Sequence, residues 1–381
     1  MSKTIEPAVL LNWAESSAAD GAEAFPTVAV VVPVFNEAAN VEDCLIAILN
    51  SAIALKDRLQ VWLVDDQSTD QTWAIAQALQ TRLKDPRLHL LRGQPRPPGE
   101  RWAGKNWACT QAAEHASGDY LLFVDADVRL QPGAIDSAVA LSATQQVDLL
   151  TCAPTIVCGC LAEWLVQPLI FSTILIGFDF DGVNDPQSDK AFAAGPFMLF
   201  RRSAYDALGG HRAVAPEVVE DVELARRVKA QGLTLKFVSG SPLVEVRMYR
   251  SWAALWEGWT KNMYMGSQRS LYMMFYLGGM TLALCTLPWL IGLGLLAKLV
   301  VAGVASMTLW QWGAIALCAC SIACHYILRR IWAHNFNLPS RYWWLTGVGG
   351  VLIAAIAIAS TIKTETGWGW TWRGRQLSYK P

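Results

Sequence analysis

The sequence predicts an α/β domain on a mostly parallel sheet, followed by an α-helical membrane region. Three observations predict this. Short β-branched apolar runs alternate with amphipathic stretches, the pattern of βαβ units with right-handed crossovers. Those runs end in carboxylates. Charge then nearly vanishes after about residue 270: from Phe275 to Leu328 the only charged residue is Lys298. The 381 residues allow one large domain or two. A formal net charge of -1 argues against a nucleic-acid partner, which calls for a basic stripe.

Residues 1–24 read as a polar leader, without the basic and apolar regions of a signal peptide. TVAVVVPVFNE, 27–37, reads as a buried parallel strand. Asn40 is placed to cap a helix whose apolar face is Cys44, Leu45, Ile48 and Leu49. LQVWLVDDQSTDQT, 59–72, repeats the logic, with a helix from about Trp73. RLHLL, 87–91, is a third strand, 103–116 a helix and DYLLFVDADV, 119–128, a fourth strand.

Ligands of open α/β sheets bind outside the carboxyl ends of the strands. Glu37, Asp65, Asp66, Asp125 and Asp127 all fall at such ends. Taken singly, the D-D-x-S and D-A-D pairs read equally well as turn or cap residues. Together they make an acidic edge that calls for a cation. Strand alternation predicts that Asp125 and Asp127 share a side. Two hard oxygen ligands suit Mg²⁺ or Mn²⁺, with phosphate oxygens and waters completing the shell. Lys105, in a G-K-N context, reads as a point charge for phosphate or as a solvated helix-start lysine. The nine cysteines read as free thiols; Cys158-x-Cys160 has no partner pair for a metal.

VVPVFNE, VDDQSTDQT, GKNWA, FVDADV and VVEDVELARRV occur in the order seen in family 2 glycosyltransferases of GT-A fold, which the chain resembles over about 27–265. The resemblance implies an inverting, metal-dependent transfer of one sugar from a UDP- or GDP-sugar. It implies that Pro33, Glu37, Asp65 and Asp66 line the nucleotide pocket, that Lys105 approaches the diphosphate and that Asp125 contacts the donor. It also implies that Asp127, with Asp125, holds the metal and that Gly195 lies beside the donor sugar. Asp221 of the Glu220-Asp221 pair is then the catalytic base, a role that acceptor deprotonation requires of one carboxylate. Glu217, Glu220 and Glu223 are rival bases by residue type, and an N-cap role is the plainer reading of Asp221.

The Q/R-x-x-R-W block of processive relatives has no match in RMYRSWAALWEGWTKNMY, 247–264, where Trp252, Trp256 and Trp259 share a helical face. Arg250 or Lys261 is the expected cationic substitute. Residues 25–268 are expected to form the catalytic domain, with 161–178 and 250–266 as membrane-interface segments. The expected membrane region is 271–362, with spans near 275–297, 304–328 and 342–362 and a turn near Lys298. A basic aromatic tail, 363–381, follows. Arg329, Arg330 and Arg341 mark 329–341 as cytoplasmic. Three crossings would then put the basic tail outside, against the same rule, unless one segment is re-entrant. The trailing spans and the G-W-T-K-N element resemble lipid-directed members acting on carotenoids, ceramide or hopanoids, most of all the carotenoid enzymes. The expected acceptor is a hydroxylated carotenoid in the inner membrane, with the catalytic domain on the cytoplasmic face.

Overall fold

A computed structural model describes residues 25–377, so the leader expected over 1–24 lies outside the described residues. The chain divides into two compact units: the chain up to Thr155 together with Phe178–Arg247, and Ile156–Gly177 together with the chain from Met248. The division does not follow a single boundary at 268. Both segments expected at the interface, 161–178 and 250–266, group with the apolar helices.

The first unit is α/β. Its strands are β1 (Val28–Val34), β2 (Leu59–Asp65), β3 (Leu88–Arg92), β4 (Tyr120–Val124), β5 (Val128–Leu130), β6 (Leu149–Ala153), β7 (Phe197–Arg201), β8 (Leu235–Ser239) and β9 (Val244–Val246). Seven form one sheet in the order β3-β2-β1-β4-β7-β6-β8. All pairs are parallel except those of β7, which runs antiparallel to β4 and β6. β5 and β9 pair separately and antiparallel. β1 is buried except at Pro33, as a strand covered on both faces must be. Its register sets Val34 opposite Asp65, so the two carboxyl ends are level.

Helices Val41–Ser51, Thr72–Leu83 and Gly104–His115 follow the first three strands. Cys44, Leu45, Ile48 and Leu49 are the buried face of the first. Asn40 departs from its expected role: its side chain makes no cap bond and its Nδ2 instead donates to Glu37 Oε2 at 2.8 Å. The D-A-D also differs from its expected form. β4 stops at Val124 and β5 begins at Val128, so Asp125, Ala126 and Asp127 form the bend between them. Strand alternation therefore does not govern where the two carboxylates point.

The second unit is helical. Helix Leu161–Gly177 runs through Pro168, and its buried Gln167 accepts from Trp259 Nε1 at 2.6 Å. Of the expected tryptophan face on helix Trp252–Gly266, Trp252 is exposed and Trp259 is core. Three helices are long and apolar enough to cross a membrane: Leu271–Ala302, Leu309–His334 and Trp343–Thr366. The break between the first two lies at Gly303, not at Lys298. Lys298 stays helical and donates to Gln311 Oε1 at 3.0 Å. Gly349 and Gly350 are points of close approach: a Cβ would lie 2.6 Å from the Leu165 carbonyl oxygen at Gly349 and 2.8 Å from that of Thr281 at Gly350.

The helical unit closes on itself. Arg269, just before the first apolar helix, pairs with Glu365 at the end of the third at 2.8 Å. The Tyr264 N–H donates to Ser360 Oγ at 3.0 Å. Beyond the third helix, Thr371 Oγ1 and the Arg373 N–H donate to Glu257 at 2.6 and 3.1 Å, and Lys261 Nζ lies 4.3 Å over the Trp372 ring.

Candidate active site

The site is assembled at the carboxyl ends of β1, β2 and β4. After β1, Asn36 adopts a left-handed conformation with φ 54°, which Asn tolerates better than most residues. From there its Oδ1 accepts the Thr69 N–H at 2.8 Å, while its own N–H donates to Ser68 Oγ at 2.9 Å. The Glu37 N–H donates to Thr72 Oγ1 at 2.7 Å. The loop bearing Pro33 and Glu37 is thus tied to the D-D-Q-S-T-D loop, which explains that loop's density of short polar residues.

Asp65 is fully buried. Its Oδ1 accepts the Ser68 N–H at 3.1 Å, a local side-chain-to-backbone bond that holds the loop, and its Oδ2 is buried with no hydrogen-bond partner. Asp66 is 5% exposed and lies 3.7 Å from Arg96. Sequence reading missed Arg96, because R-G-Q-P-R-P-P-G carries no motif.

Lys105 is the hub of the site. Its Nζ meets Asp125 Oδ1 at 2.7 Å and Glu220 Oε1 at 2.8 Å. Burial opposes its charge, but the two carboxylates outweigh burial and hold the ammonium well above its ordinary range. Asn106, fully buried, donates to the carbonyls of Val214 and Glu217 at 2.7 and 2.9 Å. The Ala103 N–H donates to the Ala215 carbonyl at 2.7 Å. The G-K-N turn therefore also anchors the loop leading to Glu220 and Asp221, a role no local pattern announces.

Helix Glu220–Ala230 has Val219 at its N-cap, so Asp221 sits in the first turn and is not the cap residue. Gly232, with φ +70°, ends the helix as read from sequence: the Leu233 N–H reaches the Val228 carbonyl and the Gly232 N–H that of Lys229. Asp221 Oδ2 accepts the Gly195 N–H at 2.8 Å and Oδ1 accepts the Val222 N–H at 2.8 Å. A Cβ on Gly195 would stand 3.0 Å from Asp221 Oδ2 and 3.2 Å from Lys105 Nζ. In this structure, then, a side chain at 195 would crowd Asp221 and Lys105.

The adjacent carboxylates differ in charge balance. Burial and the Glu220 charge push the Asp221 carboxyl up to about 6. Burial also works against Glu220, but Lys105 outweighs it and holds that carboxyl below its usual value. Of the other rivals, Glu223 is taken up by Arg226 and Arg227.

Asp125 and Asp127 flank the bend with two carboxylates. Among the described residues no group of three or more His, Cys, Asp or Glu side chains is gathered to hold an ion. This donor set does not fit a closed structural metal site. It fits Mg²⁺ or Mn²⁺ sharing its shell with a diphosphate and waters.

Comparison with known proteins agrees with this architecture. The Glycosyl transferase family 2 model matches residues 29–209, and the Glycosyl transferase family group 2 model matches residues 120–358. The 4,4'-diaponeurosporenoate glycosyltransferases of Staphylococcus aureus strains MRSA252 and USA300 are each 27% identical over 241 residues; the match spans 62% of this chain and 61% of theirs. A solved structure of the mannosyltransferase PcManGT from Pyrobaculum calidifontis, in complex with GDP-Man and Mn2+, shares the fold. Its TM-score is 0.52 at 18% identity, covering 93% of this chain and 94% of that one. With a GT-A architecture and a family model matched over more than half its length, the chain belongs to the family 2 glycosyltransferases.

Proposed function

We propose that this protein is an inverting glycosyltransferase that moves one sugar from a UDP- or GDP-sugar to a hydroxyl of a membrane lipid. The observation that carries the reading is Asp221. It is a carboxylate oriented by the Gly195 and Val222 N–H groups and raised to about 6, and its neighbour Glu220 pairs with the lysine that also holds Asp125 of the D-A-D bend. Such a group accepts a proton near neutral pH. Asp221 takes the acceptor hydroxyl proton as that oxygen attacks the anomeric carbon, and the nucleoside diphosphate leaves with the bonding electron pair. Asp65, Asp66, Pro33 and Glu37 face the nucleotide. Lys105 offers the diphosphate a positive charge, and Gly195 leaves room beside the donor sugar. Asp127, with Asp125, would hold Mg²⁺ or Mn²⁺, which supplies charge stabilisation to the leaving diphosphate.

The acceptor we favour is a hydroxylated carotenoid, because relatives over 61% of their length are named for a carotenoid-related substrate. A ceramide, diacylglycerol or hopanoid acceptor is the second reading, supported by the same apolar helices. The length and apolarity of these helices support a membrane protein, and the reading puts the α/β unit on the cytoplasmic side. The pairs Arg269–Glu365 and Glu257–Thr371 favour an even number of crossings between residues 271 and 366. Three full crossings would hold those groups about 30 Å apart. An even number keeps the basic tail inside, in agreement with the positive-inside rule.

The test is donor turnover by the full chain in detergent with Mg²⁺ or Mn²⁺. Hydrolysis or transfer from one UDP- or GDP-sugar is expected; failure to bind or turn over any of them sinks the reading. Lipid extracts of a deletion strain would show which glycosylated lipid disappears.

A further inference from the structure

The three apolar helices contain a buried cation that their own sequence does not balance. No Asp or Glu occurs from Leu271 to Ile362, yet Arg329 is 4% exposed. Its guanidinium donates to the Pro339 carbonyl at 3.2 Å, and its Nε is buried with no hydrogen-bond partner. His325 lies one turn earlier on the same helix face. Its Nε2 is 3.8 Å from Cys285 Sγ and its Nδ1 is buried and unbonded. With the Cys285 thiol donating to Nε2, Nδ1 carries the ring proton and is a further donor. Trp289, one turn beyond Cys285 on the facing helix, also buries an unbonded Nε1.

Buried polar groups left without partners are costly, and buried charges more so. Two neighbouring helices concentrating such donors and no carboxylate form a receptor lacking its anion. We infer that Arg329, with His325 and Trp289, receives the anionic group of a membrane lipid, a carboxylate or phosphate at the end of an apolar chain. The planar guanidinium fork suits either group. Leu290, Tyr326, Ile327, Leu328 and Ile331 are exposed on the same helices and offer the hydrocarbon an apolar surface. Ionisable side chains within membrane helices commonly mark ligand sites. The inference rests on the membrane placement of these helices and is independent of sugar transfer, so it stands or falls without donor or metal.

The experiment is thermal unfolding of the full chain in non-ionic detergent after delipidation. Oleate and dioleoylphosphatidylglycerol are titrated separately, with dioleoylglycerol as the uncharged control and inorganic phosphate as the aqueous one. Both anionic lipids should raise the unfolding midpoint, since a ligand of the folded state stabilises it, and the two controls should not. R329Q should lose the shift, whereas R330Q, altering an exposed neighbour, should keep it. W289F keeps an aromatic ring but removes the donor, so it should weaken the apparent lipid affinity about tenfold; it carries the test where R329Q does not fold. An equal shift with dioleoylglycerol or with phosphate, or an undiminished shift in R329Q and W289F, would overturn the inference.

Discussion

Lys105 in the α/β unit and Arg329 in the helical unit are both cations withdrawn from water, and their surroundings differ. Lys105 has carboxylates at 2.7 and 2.8 Å, supplied by a bend and a helix far from it in sequence. Arg329 has one backbone carbonyl at 3.2 Å, and no Asp or Glu occurs between Leu271 and Ile362. The α/β unit balances its charge internally before any ligand arrives. The helical unit leaves its charge for something outside the chain. A pre-balanced site suits chemistry in which groups must be placed in advance; an unbalanced one suits recognition.

The largest expected effect tests what the balanced site is for. D221N should lower kcat by about 10²–10⁴-fold, the contribution of a positioned general base, while isothermal titration shows donor affinity unchanged; full activity would remove Asp221 from the mechanism. A paired measurement then tests the comparison itself. K105M leaves Glu220 buried without its partner and should cost about 3 kcal/mol in unfolding free energy. In lipid-free detergent R329M should stay within about 1 kcal/mol of wild type, because no anion is lost with it. Equal costs for the two would abolish the distinction.

A smaller effect is expected at Gly195. G195A brings a methyl to 3.0 Å from Asp221 Oδ2 and should lower turnover about tenfold by displacing the base, with little change in thermal midpoint. The smallest effect concerns pH. Asp221 is charged above about 6 and protonated below it, so kcat should fall as pH drops through that value. E220Q removes a like charge that raises Asp221 and should move this acid limb to lower pH; an unmoved limb would show that the two carboxylates do not communicate.

Much of the α/β unit was legible because its signals are local. Val28–Val34 reads as a buried strand from seven residues, and the carboxylates announce the strand ends. β7 was not legible: FMLFR carries nothing that says it will lie antiparallel between β4 and β6. The D-A-D was placed correctly at a strand end but given the wrong local geometry, because alternation holds only within a strand. Candidate residues were nameable one by one, yet their convergence was not. Lys105 and Glu220 are 115 residues apart (220 − 105), and only the fold brings them to 2.8 Å. Arg96 and the unpaired donors around Arg329 belong to no motif, and Asn106 lies in GKNWA with nothing to mark its loop-anchoring role, so residue type alone could not single them out. In the helical unit composition gave the apolar helices, but Gly303, not Lys298, breaks the chain, because a lysine with a long stem and a Gln311 partner is tolerated inside a helix.

The hydrogen bonds of Asn106 Nδ2 to the carbonyls of Val214 and Glu217 bind the approach to Asp221 to the helix that carries Lys105. Lys105 and Asp221 therefore travel as one block. On the proposed function, a donor settling against the lysine would meet an aspartate already in place, with no rearrangement needed to bring the two together.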